Sequence, residues 1–157
     1  MSTYQWLLVF HVTGAFLLLG GGAFAASLNL AALGRERPSD IVLLFGLIRI
    51  AVVAISIGTL LAFVFGLWLV HEAHYGYGDG WVVAAIVLLV AANALGGIGG
   101  RRDDRTARFA RELAAAGDEP SAELRARVRD PISLALSYGS GLLLVAVLAL
   151  MIWKPGA

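Results

Sequence analysis

Cysteine is missing altogether from this chain of 157 residues, and charged side chains are scarce at 15%. Without thiols there is no disulfide framework, thiolate metal site, iron–sulfur cluster or cysteine nucleophile. A soluble domain carries roughly 25% charged residues, so the charge deficit is informative. Lysine occurs once, as Lys154, and no Lys or Arg precedes Arg35. A signal peptide needs a basic segment ahead of a short apolar one, so the first apolar run reads as a retained helix. The long apolar stretches hold no Asp or Glu, which argues against a proton-coupled pump or transporter. There is no zinc-protease, phosphate-loop or nucleophile–base motif. A net charge of +1 gives no reason to expect a nucleic-acid partner.

What is present is hydrophobic: 59% of the residues are apolar, with a mean hydropathy of +0.82. The apolar runs extend from about Gln5 to Leu33, Ile41 to Val70, Trp81 to Gly100 and Pro131 to Trp153, interrupted only by His11 and Arg49. Stretches of this length span a hydrocarbon core as helices, because a lone strand in lipid leaves its backbone unpaired. The expected fold is a single all-α domain, a polytopic four-helix antiparallel bundle surrounded by the lipid bilayer.

The charges set an orientation. Every basic residue except Lys154 falls near the first connection (Arg35, Arg37, Arg49) or between Arg101 and Arg129. By the positive-inside rule both regions are cytoplasmic and both termini face outward. Tyr4, Trp6, Tyr75, Tyr77, Trp81 and Trp153 then mark the outer interface. Within the cytoplasmic segment Arg101–Asp130, Asp104/Arg108, Arg108/Glu112 and Glu123/Arg127 are spaced for helical ion pairs. Gly117-Asp118-Glu119-Pro120 divides the segment into two short helices, forming a hairpin between spans three and four. Its basic residues offer a docking surface for a protein partner or anionic lipid headgroups. The interleaved carboxylates favour the simpler reading, a solvated hairpin whose arginines fix topology.

His11 is the sharpest candidate, an ionisable residue well inside a span. Its helical face continues through Gly14, Ala15, Leu18 and Gly22, mostly small. Such a stripe either admits a second helix closely or leaves a slot beside the imidazole for a flat ligand. His71 and His74 stand three apart and share a face if the second helix reaches them. Either one, opposed to His11, would complete a two-histidine haem site at the outer end; plain solvation is the competing reading. Arg49 reads as snorkelling to the cytoplasmic headgroups, with pairing to Asn29 or Asn93 as the alternative. Gly58/Ala62/Gly66, Asn93/Gly97 and Ser133/Ser137/Gly141 read as packing faces.

The run Trp6-Leu-Leu-Val-Phe-His11-Val-Thr-Gly14-Ala-Phe-Leu-Leu-Leu-Gly20-Gly21 resembles the opening helix of an uncharacterised family of bacterial predicted integral membrane proteins. Gly66-Leu-Trp-Leu and Gly78-Asp-Gly-Trp81 are similar to the same family. That family looks related to the copper-resistance D membrane domain and the oxygen-independent protoporphyrinogen oxidases. The resemblance implies residence in the bacterial inner membrane and a haem-b ligand at His11. The chain departs from the oxidase branch in lacking lysine within its helices. It departs from a copper pathway in having no cysteine and only Met1 and Met151. The expectation is therefore an accessory or scaffold subunit of a membrane assembly, a homo-oligomer being one form. The alternative is a haem-b protein using His11, His71 or His74, and Gly14.

Overall fold

The computed structural model describes residues 2–156, which form five helices: α1 (Thr3–Leu33), α2 (Pro38–Glu72), α3 (Gly80–Ala115), α4 (Ala122–Val128) and α5 (Pro131–Trp153). Four of them, α1, α2, α3 and α5, are long and apolar enough to cross a membrane. Local side-chain caps start two of them, α1 and α5. Ser2 and Gln5 form a reciprocal capping box on α1. Asp130 caps α5 through the Ile132 and Ser133 amides, with Pro131 in the first turn.

The third helix departs from expectation. Instead of ending near Gly100 and giving way to a separate short helix, α3 continues to Ala115, for 36 residues in all. At about 1.5 Å per residue that is roughly 54 Å, far more than the hydrocarbon core requires. The reason is that Arg101–Ala115 consists largely of good helix formers without proline. The break comes at Gly117, whose φ of 128° suits glycine and not a residue with a Cβ. Only α4 remains as a short separate helix.

Two close pairs build the bundle. In the α1–α2 pair, contacts move back along α2 as they move forward along α1: Gly14 against Gly58 and Ala62, Gly21 against Ala51 and Ile55, Ala32 near Ile41 and Phe45. A Cβ on Gly58 would lie 2.6 Å from the Leu18 nitrogen and 2.7 Å from the Gly14 oxygen. The two backbones touch, which only small residues permit. In the α3–α5 pair, serines do the joining. Ser140 Oγ donates to the Ala92 carbonyl at 2.8 Å, and Ser140 and Ser137 fill the space above Gly96 and Gly99.

The pairs meet in three apolar clusters. One, around Ile41, Phe45, Ala110 and Leu124, lies at the arginine-rich end. A second joins Leu18, Leu89, Ala92 and Leu144 at mid-height, and a third joins Val70, Trp81 and Val82 at the aromatic end. Large apolar side chains such as Phe16 and Leu142 project outward, as lipid-solvated helices require.

Candidate functional site

Between the two pairs, at the aromatic end, lies a cavity of about 400 Å³ whose walls come from α1, α2, α3 and α5. This size falls within the range of small-molecule sites. Its lining is overwhelmingly apolar; the side chains able to make polar contacts are Tyr4, His11, Tyr75, Trp81 and Lys154.

His11 is half-buried on the α1 wall, and its Nδ1 lies 2.8 Å from the Ala62 carbonyl oxygen of α2. A carbonyl only accepts, so Nδ1 carries the proton, and in the neutral ring the lone pair sits on Nε2. The contact depends on Gly66. A helical side chain covers the turn before it, so a side chain at position 66 would shield the Ala62 carbonyl. A Cβ there would lie 2.9 Å from His11 Cε1 and 3.0 Å from Nδ1. The sequence marked Ala62 and Gly66 only as part of a packing stripe; the structure makes them the seat of the imidazole.

The other histidines are elsewhere. The α2 helix ends at Glu72, and His74 follows in a left-handed conformation with φ of 60°. His71 and His74 therefore do not share a helical face. Both are exposed and neither lines the cavity. Gly14 is buried against the Gly58 and Ala62 backbone and is likewise off the cavity wall. Among the described residues no three His, Cys, Asp or Glu side chains cluster to hold a metal ion. As a test of fit to haem, the tied Nδ1 and open Nε2 of His11 suit one axial ligand, because ligating histidines donate their other N–H to such a carbonyl. A second histidine is not brought opposite it.

The aromatic end is capped by Lys154. Its Nζ stands 4.9 Å from the Tyr75 ring centroid and 5.6 Å from that of Trp81, and those two rings meet edge to face at 5.3 Å. Each is within the range of a cation–π contact. The Trp81 Nε1 is buried without a hydrogen-bond partner among the described residues.

The arginine-rich end is built differently. Arg37, the residue before α2, makes no side-chain cap. Asp118, from the α3–α4 connection, accepts from the Ser39 amide and hydroxyl at 2.7 Å each and supplies that cap across the fold. The Ser39 hydroxyl, followed by its amide, holds the Asp118 carboxyl below its usual value. Arg125 pairs with Glu36 at 2.5 Å, Arg129 donates to the last α1 carbonyl at Leu33 at 3.1 Å, and Arg102 pairs with Asp130 at 2.6 Å. The Ser133 hydroxyl is the foremost cause that keeps the Asp130 carboxyl low. Leu124 and Val128 are core residues here, with Phe109 and Leu113 packed on them. The segment 101–130 is thus clasped onto α1 and α2. Asn93 bonds Thr59 and the Leu89 carbonyl, and Arg49 is exposed without a hydrogen bond to Asn29 or Asn93.

Four long apolar helices define the class, a multi-pass membrane protein. The chain belongs to the DUF2269 family, described as predicted integral membrane proteins, whose model matches residues 5–155. No curated protein and no solved structure matches it.

Proposed function

We propose that this is an antiparallel four-span protein of the bacterial inner membrane that binds a hydrophobic small molecule in the cavity beside His11. In this reading the arginine-rich end is cytoplasmic, by the positive-inside rule, and both termini face outward. A reporter fused to the C-terminus is expected to be active outside the cytoplasm; cytoplasmic activity overturns the orientation. The observation that carries the binding role is the His11 Nδ1–Ala62 contact in an apolar enclosure. It fixes the ring and leaves Nε2 as the one imidazole lone pair in a space whose contacts are mostly apolar. Packing alone would be served as well by leucine, since an ionisable group in a span is costly.

The same contact favours haem b as the second reading, with His11 as the chain's one axial ligand. Haem bound there would supply one-electron chemistry, and the residues would orient it and exclude water. Purified full-length protein, extracted with organic solvent and examined by mass spectrometry, separates the readings. A stoichiometric hydrophobic compound, lost when Ala15→Phe fills the cavity, supports the first. A Soret band that forms with hemin, survives His71→Ala and His74→Ala, and disappears in His11→Ala supports the second. Absence of both results overturns the cavity as a binding site.

An accessory-subunit role, expected from the basic segment, would have to engage that segment as it is clasped. Arg101, Arg105, Arg108 and Arg111 are the arginines on α3 outside its ion pairs among the described residues. A protein partner or anionic headgroups would meet those four, and their joint replacement by glutamine would release either.

A further inference from the structure

We infer that the cavity takes a single-chain anionic amphiphile, a medium-chain carboxylate, with its tail along the cavity and its headgroup on Lys154. The inference rests on reading the cavity as a ligand site and goes on to name the ligand's chemistry. Three observations carry it. First, the cavity is elongated. Its α3 wall runs from Trp81 to Leu89 and its α5 wall from Leu144 to Met151, so it extends for about 10–12 Å at about 1.5 Å per residue. With a volume of about 400 Å³, it suits one extended chain better than the two chains of a diacyl lipid.

Second, the charged side chain that lines the cavity is a cation, with no carboxylate among the lining residues. Lys154 lines the cavity and makes no ion pair among the described residues. Asp79, at the same end, is turned to the Gly76 amide at 3.0 Å. Third, the ammonium is held in place. The Lys154 backbone closes α5 in a left-handed conformation, its N–H donating to the Leu150 carbonyl at 2.9 Å. The Tyr75 and Trp81 rings beneath its Nζ are themselves cavity wall. The charge therefore stands at the aromatic end of the apolar walls. An anionic headgroup there gains a charge-assisted hydrogen bond, while the apolar walls take the place of lipid around its tail.

The test is equilibrium binding of radiolabelled decanoate to the full chain in nanodiscs of zwitterionic lipid. Decanol and a decanoyl lysophosphatidate serve as competitors. Wild type is expected to bind decanoate and to prefer it to the alcohol by about tenfold, the usual size of one lost charged hydrogen bond. Lys154→Gln is expected to remove that preference, while Lys154→Arg retains it. Ala15→Phe on the α1 wall and Val147→Phe on the α5 wall are expected to abolish binding of acid and alcohol alike; either suffices if the other fails to fold. Equal binding of decanoate and decanol by wild type, or an unchanged preference in Lys154→Gln, overturns the inference while the cavity reading stands. Decanoate binding that ignores both cavity-filling variants overturns the cavity reading itself. Stronger competition by lysophosphatidate than by decanoate assigns the site to a phosphate headgroup and overturns the carboxylate.

Discussion

The two ends of this bundle solve opposite problems with largely the same helices. At the arginine-rich end, four helices, α1 to α4, converge on one cluster: Leu124 is 1% exposed, Ala110 0% and Ile41 1%. Ion pairs and a borrowed cap close over it. At the aromatic end α1, α2 and α3, now with α5, separate around a cavity of about 400 Å³. Lipid supplies little hydrophobic drive between helices, so close packing is the default in a membrane bundle. A space left open among helices that touch backbone to backbone elsewhere is therefore a property of the residues that line it.

The contrast can be broken from either side. The largest effect is expected at the clasped end. Leu124→Ala removes a core side chain and is expected to cost about 2–5 kcal/mol, read as a lower unfolding midpoint in detergent. Met151→Ala, on the cavity wall, is expected to leave that midpoint nearly unchanged. Equal losses would remove the distinction between the ends. Next is Gly58→Ala, whose new methyl meets the α1 backbone and not a movable side chain. Overpacking of this kind costs about 1–3 kcal/mol, and cross-linking between α1 and α2 would report their separation.

Gly66→Ala is gentler because the obstacle is the His11 ring. The ring is expected to rotate away and give up its bond to Ala62, at about 0.5–1.5 kcal/mol. The stability loss is small, but binding in the cavity is expected to fall with it. Normal binding by Gly66→Ala would show that the seat of His11 is incidental.

The smallest effect concerns pH. Asp118 has a lowered pKa in the fold, so its contact with Ser39 stabilises fully above the ordinary aspartate value of about 3.9. That contribution is lost as pH falls through the lowered folded value. Hydrogen exchange at the first turn of α2 is expected to accelerate in acid before exchange around the cavity does. Asp118→Asn is expected to abolish this difference, and an unaltered acid response in that variant would detach the clasp from Asp118.

Much of the architecture was legible in the sequence because long apolar runs in lipid permit few structures. The position of the helix boundaries was less so. The glycines before Arg101 look like the end of a span, yet Gly96 and Gly99 are there to admit Ser140 and Ser137, and α3 runs on. The clasp was invisible for a different reason. Asp118 and Ser39 are separated by 79 positions, and no local spacing rule links them. His11 was visible as a costly residue in a span, but its partner was not. A backbone carbonyl has no sequence signature, and Gly66 resembles any other small residue in a packing stripe. His71 and His74 misled by spacing alone, since the helix ends between them.

The central claim is that His11 presents a fixed Nε2 lone pair to a ligand in the cavity. It is tested most directly by nitrogen NMR of the full chain in nanodiscs. With 15N-histidine labelling and His71→Gln and His74→Gln in place, a single imidazole remains. The account predicts a proton on Nδ1, an unprotonated Nε2, and movement of the Nε2 signal when hemin is added or when decanol, whose hydroxyl can donate to it, is added. A proton on Nε2, or a signal indifferent to both probes, would contradict it.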